Sequence, residues 1–276
     1  VVRLHGLRSR RYVPMKTGFN AVVLADSINA RTEQRLTTLE VTLPRFLLAE
    51  VNTHRMLSRN FASSRAIPVK KRIKATYEDP FIPLEFGKNK RGMQSTEEVD
   101  NPAAAKALWI EGMKDACSVA MDLADAGVHK QFANRVIEPY TWVTGIISAT
   151  EWSNFFALRL HPDAQPEFRH LAGLMKAAMD SSTPEALDIG QYHAPMLDPA
   201  ETSKLRKASG QEKKTLLLRA IGRCARVSYE THDGRRDPDA DVALAKRLQE
   251  AGHMSPFEHI ARAWTSLRFA NFMGWV

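Results

Sequence analysis

The stretch EVNTHRMLSRNFASSRAIP, residues 50–68, directly follows the apolar run FLLA at residues 46–49. It combines one histidine and three arginines with small polar residues, namely His54, Arg55, Arg59 and Arg65 with Ser58, Asn60, Ser63 and Ser64. Arginine offers a planar fork of donors, and serine and asparagine add donors and acceptors without bulk. Charge alone would fit a solvated basic loop. The small polar residues favour instead a pocket for a phosphate and a hydrogen-bonding ring.

The composition is that of a folded globular protein. The 276 residues are 44% hydrophobic and 25% charged, and the net charge of +8 favours anionic ligands without choosing between nucleotide and nucleic acid. The two cysteines, Cys117 and Cys224, form neither a disulfide framework nor a metal-site spacing. No apolar run would cross a bilayer or form a signal peptide, so we predict a cytoplasmic protein without a membrane partner.

The hydrophobic periodicity predicts an α/β protein. Strands are expected at residues 21–27, 36–43, 141–148 and 264–269. Helices are expected at residues 44–54, 102–127, 130–137, 152–160, 166–180, 216–229 and 239–251, with Gly127 as a C-cap. We interpret residues 1–20 as a basic tail and 21–276 as one catalytic domain. Residues 69–101 are predicted to be an irregular charged insertion, and residues 181–215 a long connection.

The pattern His54-Arg55-x-x-Ser58-x-Asn60-x-x-Ser63-x-Arg65 resembles the signature of the flavin-dependent thymidylate synthases. Three further segments are similar to that family. NRVIEP at residues 134–139 resembles Ala-Arg-x-x-Leu-Pro, and NFFALR at 154–159 with AQPE at 164–167 resembles Asn-Phe-x-x-Leu-Arg and Ala-Gln-x-Glu. RCARVSY at 223–229 and HMSPFEH at 253–259 resemble Ala-Arg-x-Ser and His-x-Ser/Thr-x-x-Glu-His.

The order of these segments differs from the common family arrangement, in which the last two precede the signature. The resemblance therefore implies a circularly permuted fold, with residues 255–268 beside the strand at 36–43. Two of these segments have alternative interpretations. Two histidines and a glutamate within residues 253–259 could suggest a metal site. Their spacing is not that of the helical His-Glu-x-x-His motif of metalloproteases, and Pro256 argues against a helix there, so no metal is expected. Arg223 and Arg226 could be surface residues at a helix end.

The resemblance implies a mixed sheet flanked by helices and a particular reaction. In the family, FAD is reduced by NADPH, methylenetetrahydrofolate supplies one carbon to C5 of dUMP, and the flavin hydride completes the methyl group of dTMP. No cysteine nucleophile is needed. The family also implies a homotetramer with sites shared between subunits. A basic nucleic-acid-binding protein is the rival from another class, but most aromatic residues fall inside apolar patterns, and no nucleic acid partner is expected.

The resemblance also implies roles for individual residues. The substrate-binding residues would be Glu50, Ser63, Ser64, Arg65, Arg135 and Arg159, of which Arg65 and Arg159 would be catalytic. The residues that bind the flavin would be His54, Arg55, Ser58, Asn60, Asn154, Ser228, His253, Ser255 and Glu258.

Some positions depart from the family pattern. Thr53 replaces the first arginine of the signature, Phe61 stands where glutamate or glutamine is frequent, and Glu50 replaces a glutamine that contacts nucleotide. Ser148 and Thr150 replace residues that often include asparagine and arginine near the flavin. Because of these changes, an alternative function is a related enzyme that leaves a hydroxymethyl group on the pyrimidine or acts on dCMP.

Overall fold

The structure is a computed structural model that describes residues 18–92, 95, 97–227, 237–269 and 272–276, with only the backbone for 266–269. The predicted basic tail lies almost entirely outside the described residues, and so does Ser228.

The main sheet has five strands, β1 (Asn20–Asn29), β2 (Arg35–Pro44), β3 (Ser58–Phe61), β4 (Trp142–Ala149) and β5 (Glu185–Leu187). Their spatial order is β3-β4-β2-β1-β5, and only the β1–β5 pair is parallel. A second sheet contains β6 (Tyr192–His193), β7 (Ala261–Phe269) and β8 (Phe272–Trp275) in the order β6-β7-β8. The predicted mixed sheet flanked by helices is confirmed.

The helices follow the predicted pattern in most places. They are α1 (Leu48–Val51), α2 (Val69–Glu78), α3 (Pro102–Asp125), α4 (Lys130–Val136), α5 (Ser153–Arg159), α6 (Pro166–Asp180), α7 (Pro199–Lys207), α8 (Gly210–Arg226) and α9 (Pro238–Glu250). At the start of α3, the Asn101 side chain accepts a hydrogen bond from Ala104 N at 3.0 Å. Gly127 has φ +80°, as the predicted C-cap requires.

Strand β2 is covered on both faces. Side chains alternate along a strand, so Leu39, Val41 and Leu43 share one face and join the principal core. The opposite face carries Thr38 and Thr42, which are also fully buried. Buried hydroxyls need hydrogen-bond partners, and this polar face is therefore tied to neighbouring strands by its side chains.

Helix α6 closes the apolar side of the sheet. Phe168, Leu171, Ala172, Met175 and Met179 recur at helical spacing, are buried, and belong to the same core as β2 and β4. Burying a side chain of the size of Phe or Leu stabilises the fold by roughly 1.5–3 kcal/mol. This packing holds α5, which directly precedes α6, near the end of β4.

The predicted helix at 44–54 is wrong in length. The chain forms a 3-10 turn at Arg45–Leu47 and then the short α1. Thr53 Oγ donates to Glu50 O at 2.7 Å, so a side chain competes for backbone hydrogen bonding just beyond α1. The stretch predicted as a loop up to Pro68 also contains a strand, since β3 pairs with β4.

Two segments predicted to be irregular contain regular elements. Residues 69–78 form α2, because Val69 and Ile73 lie four residues apart and pack against α3 and α4. Residues 181–215 contain β5, β6, α7 and the start of α8. Helix α7 begins with a capping box between Asp198 and Glu201, which is a local signal for a helix start. The three prolines of this segment favoured a long connection instead.

The C-terminal segment lies close to the signature but is not paired with β2. Ser255 Oγ donates to Arg59 O at 3.0 Å, which joins the 3-10 turn Ser255–His259 to β3. Strand β7 pairs with β6 and β8, whereas both edges of β2 are taken by β1 and β4. Ala261 and Ala263 of β7 nevertheless belong to one buried apolar cluster with Leu36 of β2. The segment therefore lies against the start of β2 without pairing with it, and the circular permutation stays a prediction.

Candidate functional site

Strand β3 places the middle of the signature in the sheet. Ser58 and Asn60 are buried, whereas the alternate residues Arg59 and Phe61 are half-buried, as the strand period requires. Asn60 Nδ2 donates to Cys224 O at 2.8 Å, so the signature strand is fixed to the end of α8. The signature, the turn at Ser255 and the end of α8 therefore meet, as the resemblance implies.

His54 and Arg159 come together from two separate motifs. Arg159 Nε donates to His54 Nε2 at 2.8 Å, although the two residues lie 105 positions apart in the sequence. The Arg159 guanidinium lies 4.3 Å from the ring centre of Phe168, and the His54 ring packs edge-on against Phe155. Within the described chain, the two terminal amino groups of Arg159 make no hydrogen bond. They are free to contact a ligand.

His54 is neutral at physiological pH. Burial lowers its pKa to about 4, and the positive charges of Arg159 and Arg59 add to the shift. Because Nε2 accepts the hydrogen bond from Arg159, the ring proton of the neutral imidazole lies on Nδ1. His54 thus orients Arg159 as an acceptor, and Arg59 donates from its side chain to the His54 backbone carbonyl.

The residues predicted to hold the phosphate meet a carboxylate in this structure. Ser64 Oγ donates to Glu138 Oε1, and Arg45 Nε reaches the same oxygen at 2.8 Å. Arg135 Nη1 donates to Glu138 Oε2 at 3.2 Å. Burial raises the pKa of Glu138, but the Ser64 hydroxyl and the Arg45 charge lower it by a larger amount. The pKa therefore lies below its usual range, and the carboxyl is ionised at neutral pH. Sequence reasoning missed both Arg45 and Glu138.

Several predicted site residues have exposed side chains. Arg55, Arg65, Asn154, His253 and Glu258 are all exposed. None of their side chains makes a hydrogen bond or salt bridge with a residue that the structure describes. Glu50 and Ser63 are half-buried, and the Ser63 hydroxyl accepts a hydrogen bond from Arg65 N at 3.3 Å. Ser228 lies outside the described residues.

A chain of buried hydrogen bonds connects the polar face of the sheet to the turn at 255–259. His193 lies between Ser27 Oγ, 2.9 Å from Nδ1, and Thr38 Oγ, 2.8 Å from Nε2. Thr38 Oγ lies 2.6 Å from Ser148 Oγ, which lies 2.8 Å from His259 Nδ1. Burial lowers the pKa of both histidines to about 3, so both are neutral.

The series of buried hydrogen bonds ends at the Nε2 atom of His259. His259 Nε2 is buried and has no hydrogen-bond partner among the residues with described positions. The hydroxyls can reverse their direction, so Nε2 can present either a proton or a lone pair. Sequence reasoning assigned the turn to the flavin but missed His259. The available signal was a histidine in the turn together with serine and threonine on two predicted strands.

Arg223 and Arg226 belong to a buried ionic cluster rather than to the surface. Arg223 Nη2 donates to Glu201 at 2.9 Å and Nε to Asp241 at 3.1 Å, while Arg226 also pairs with Asp241. The interpretation as surface arginines is wrong, because acidic residues on α7 and α9 cover this end of α8. The cluster fixes the helix whose Cys224 carbonyl accepts the hydrogen bond from Asn60.

The AQPE segment serves a packing role in this structure. Glu167 is buried, with Oε1 accepting from Leu84 N at 2.9 Å and Oε2 from Gln165 at 3.0 Å. Gln165 and Glu167 line a cavity of about 680 Å³, together with the aromatic residues Phe81 and Trp109. No predicted flavin or substrate residue with a described position lines this cavity.

The described residues contain neither a metal site nor a membrane-spanning helix. They contain no group of three or more His, Cys, Asp or Glu side chains arranged to hold a metal ion. Over the same part of the chain, no helix combines the length and the apolar character needed to span a membrane.

Comparison with known proteins gives one family match. Residues 15–185 match the family model described as thymidylate synthase complementing protein. No curated protein sequence matches the chain. Among solved structures, a UMP/dUMP methylase, PolB, from Streptomyces cacaoi bound with 5-Br dUMP has a TM-score of 0.49 and 14% identity, over 59% of this chain and 91% of that one. Its form bound with 5-Br UMP has a TM-score of 0.49 and 16% identity, over 59% and 89%.

Proposed function

Because this chain belongs to the family of thymidylate synthase complementing proteins, we propose that it is an FAD-dependent enzyme that converts dUMP to dTMP. At the level of the family, membership supports methylation of a pyrimidine nucleotide at C5. The finer proposal names methylenetetrahydrofolate as carbon donor and NADPH as reductant. When bound, the flavin would supply the hydride that completes the methyl group. We further propose a cytoplasmic homotetramer whose sites are shared between subunits.

The observation that carries the proposal is the contact between His54 and Arg159. It joins the signature to the NFFALR motif, and it leaves the terminal amino groups of Arg159 without a partner among the residues with described positions. A uracil ring gains negative charge on its carbonyl oxygens when a nucleophile or hydride adds to it, and preorganised cationic donors stabilise that charge. Arg159 would bind the ring through these donors, with His54 holding the plane of the guanidinium.

The phosphate would be held by the residues after β3 and by α4. Arg65 is exposed and its guanidinium is uncommitted to the described residues, so its full bidentate fork is available. Ser63 would donate beside it, and Arg135 would complete the set. Glu50, which lies just before the signature, would contact the nucleotide.

The chain fits a flavin on two observations. Arg55, Asn154 and His253 are exposed side chains without partners among the described residues, as expected for groups that bind a large polar cofactor at a subunit boundary. At the end of the turn Ser255–His259, Nε2 of His259 is a buried polar atom with no hydrogen-bond partner among the described residues. Together with Ser58, Asn60, Ser228, Ser255 and Glu258, these residues would hold the cofactor.

The departures from the family pattern bear on the alternative product. Phe61 packs directly on Gly145, where an added Cβ would lie 2.1 Å from the ring. Phe61 therefore provides packing where glutamate or glutamine would provide a polar contact. No observation favours the hydroxymethyl product or dCMP over dTMP, and product analysis separates them.

Flavin binding tests the proposal. Titration of the purified chain with FAD, followed by flavin fluorescence, is expected to saturate at one flavin per chain. His253→Ala should weaken binding, whereas the matched exposed histidine variant His161→Ala should not. Absence of binding to both oxidised and reduced flavin would refute the proposal.

A further inference from the structure

The side chain of Glu138 lies at a position where the family pattern has leucine. The segment is NRVIEP here and Ala-Arg-x-x-Leu-Pro in the family, so this chain carries an additional carboxylate beside Arg135. Glu138 begins the 3-10 turn Glu138–Tyr140, directly after the end of α4. That position brings its carboxylate to the segment that follows β3.

Glu138 accepts hydrogen bonds from three donors. Arg45 Nε lies 2.8 Å from Oε1, Ser64 Oγ donates to the same oxygen, and Arg135 Nη1 lies 3.2 Å from Oε2. An anionic group surrounded by two guanidinium groups and a hydroxyl is the arrangement that a phosphate takes in a protein. Two of the donors, Ser64 and Arg135, are residues that the resemblance assigns to the phosphate.

We propose that Glu138 holds Arg135 of the phosphate subsite before nucleotide binds and thereby sets the affinity for the 5′-phosphate. Binding of the nucleotide exchanges carboxylate for phosphate on Arg135, so Glu138 determines how strongly the enzyme distinguishes a nucleotide from a nucleoside. This inference rests on the proposed function, since it takes the phosphate to bind at Ser63, Arg65 and Arg135.

The three contacts differ in how readily they can be released. The Arg45 side chain is only 9% exposed and also donates to Ala62 O at 2.8 Å, so it needs Glu138 as a permanent counterion. The Arg135 side chain is 62% exposed, and its contact with Glu138 is the longest of the three. Arg135 can therefore turn to a phosphate while Glu138 remains on Arg45.

The carboxylate is charged when the phosphate arrives. The Ser64 hydroxyl and Arg45 outweigh burial and hold the pKa of Glu138 below its usual range. A phosphate near Arg135 and Arg65 would therefore experience repulsion from Glu138 as well as competition for the guanidinium. Both effects weaken binding of the phosphate and leave binding of the ring unchanged.

The test compares dUMP with deoxyuridine in calorimetric titrations of the full chain. Glu138→Gln keeps an oxygen that accepts from Arg45 but removes the charge, and it should tighten dUMP binding about tenfold with deoxyuridine binding unchanged. Glu138→Asp keeps the charge and should not tighten it. Glu185→Gln is the matched control, because it also neutralises a carboxylate that pairs with an arginine, Arg206. It should leave the affinities for dUMP and deoxyuridine unchanged.

Three other results would overturn the inference or its premise. Equal or weaker dUMP binding by folded Glu138→Gln, with Arg65→Lys still weakening it, would refute the role of Glu138 alone. Equal tightening of dUMP and deoxyuridine would indicate general loosening and refute it too. Absence of dUMP binding by the wild type and all variants would refute the proposed function itself.

A second measurement covers the case in which Glu138→Gln fails to fold. A crystal structure of the wild-type chain with dUMP should show the Arg135 guanidinium on the phosphate and Glu138 still on Arg45. A bound nucleotide with the Arg135–Glu138 contact intact would contradict the exchange.

Discussion

Replacement of Arg159 by lysine tests how the site binds the pyrimidine. In the wild type, Nε is used on His54 at 2.8 Å and the guanidinium stacks on Phe168, which leaves two terminal amino groups for a ligand. Lysine keeps the charge but has one amino group and no planar fork. Loss of one charge-assisted hydrogen bond costs roughly 1.5–3 kcal/mol, so Arg159→Lys should weaken dUMP binding at least tenfold.

The assay is calorimetric titration with dUMP, with flavin fluorescence recorded on the same samples. Arg65→Lys should weaken dUMP binding similarly, and Arg91→Lys, in the exposed charged segment, should have little effect. Arg159→Gln adds an independent readout by NMR, because removal of the charge should raise the pKa of His54 from about 4. Unchanged dUMP affinity in Arg159→Lys, or an equal loss in Arg91→Lys, would refute the reasoning.

Three further predictions concern the framework of the site. Gly222→Ala places a Cβ 2.1 Å from a backbone carbonyl oxygen of α9 and should lower the free energy of unfolding by roughly 1–3 kcal/mol, as measured by urea denaturation. Lowering the pH from 6.5 to 5 should destabilise the fold, because His193 and His259 take up protons in the unfolded chain but stay neutral in the folded protein, where their pKa is about 3. The cost is about 1.6 kcal/mol for each histidine, and His193→Gln should reduce this pH dependence. Cys117→Ala and Cys224→Ala should retain turnover per folded molecule, since burial raises the pKa of both thiols and neither is a ready nucleophile; complete loss of chemistry in a folded variant would indicate a covalent mechanism.

The sequence predicted the elements whose signals are local. Strand β2 alternates, α3 has an N-cap and a glycine C-cap, and α6 has a clear apolar face. The predicted helix at 44–54 is longer than the observed one, because local helix propensity contains no information on the pairing of β3 with β4. Helix α2 was missed because its charged residues hide a narrow apolar face of two residues.

The site was predictable to the extent that its residues lie in recognisable motifs. The resemblance named His54 and Arg159 but assigned them to different ligands, whereas the structure joins them directly. The motif pattern predicts no role for Glu138, because its contact with Ser64 depends on how α4 meets the end of β3. Long-range hydrogen bonds of this kind leave no periodic trace in a sequence.

The buried histidines show the same limit. His193 lies on a two-residue strand that no sequence pattern identifies, and its partner Thr38 looks like an ordinary strand residue. Only the sheet order brings β1, β2 and β4 together with the turn that contains His259.

The most direct test of the proposed function is analysis of the product by mass spectrometry. The purified chain is incubated with dUMP, FAD, NADPH and methylenetetrahydrofolate, with omission of each component in turn as a control. The proposed function predicts dTMP, dependent on all four, and little or none from Arg159→Lys at a dUMP concentration near the wild-type Kd. A hydroxymethylated nucleotide, or dTMP formed equally well without FAD, would contradict it.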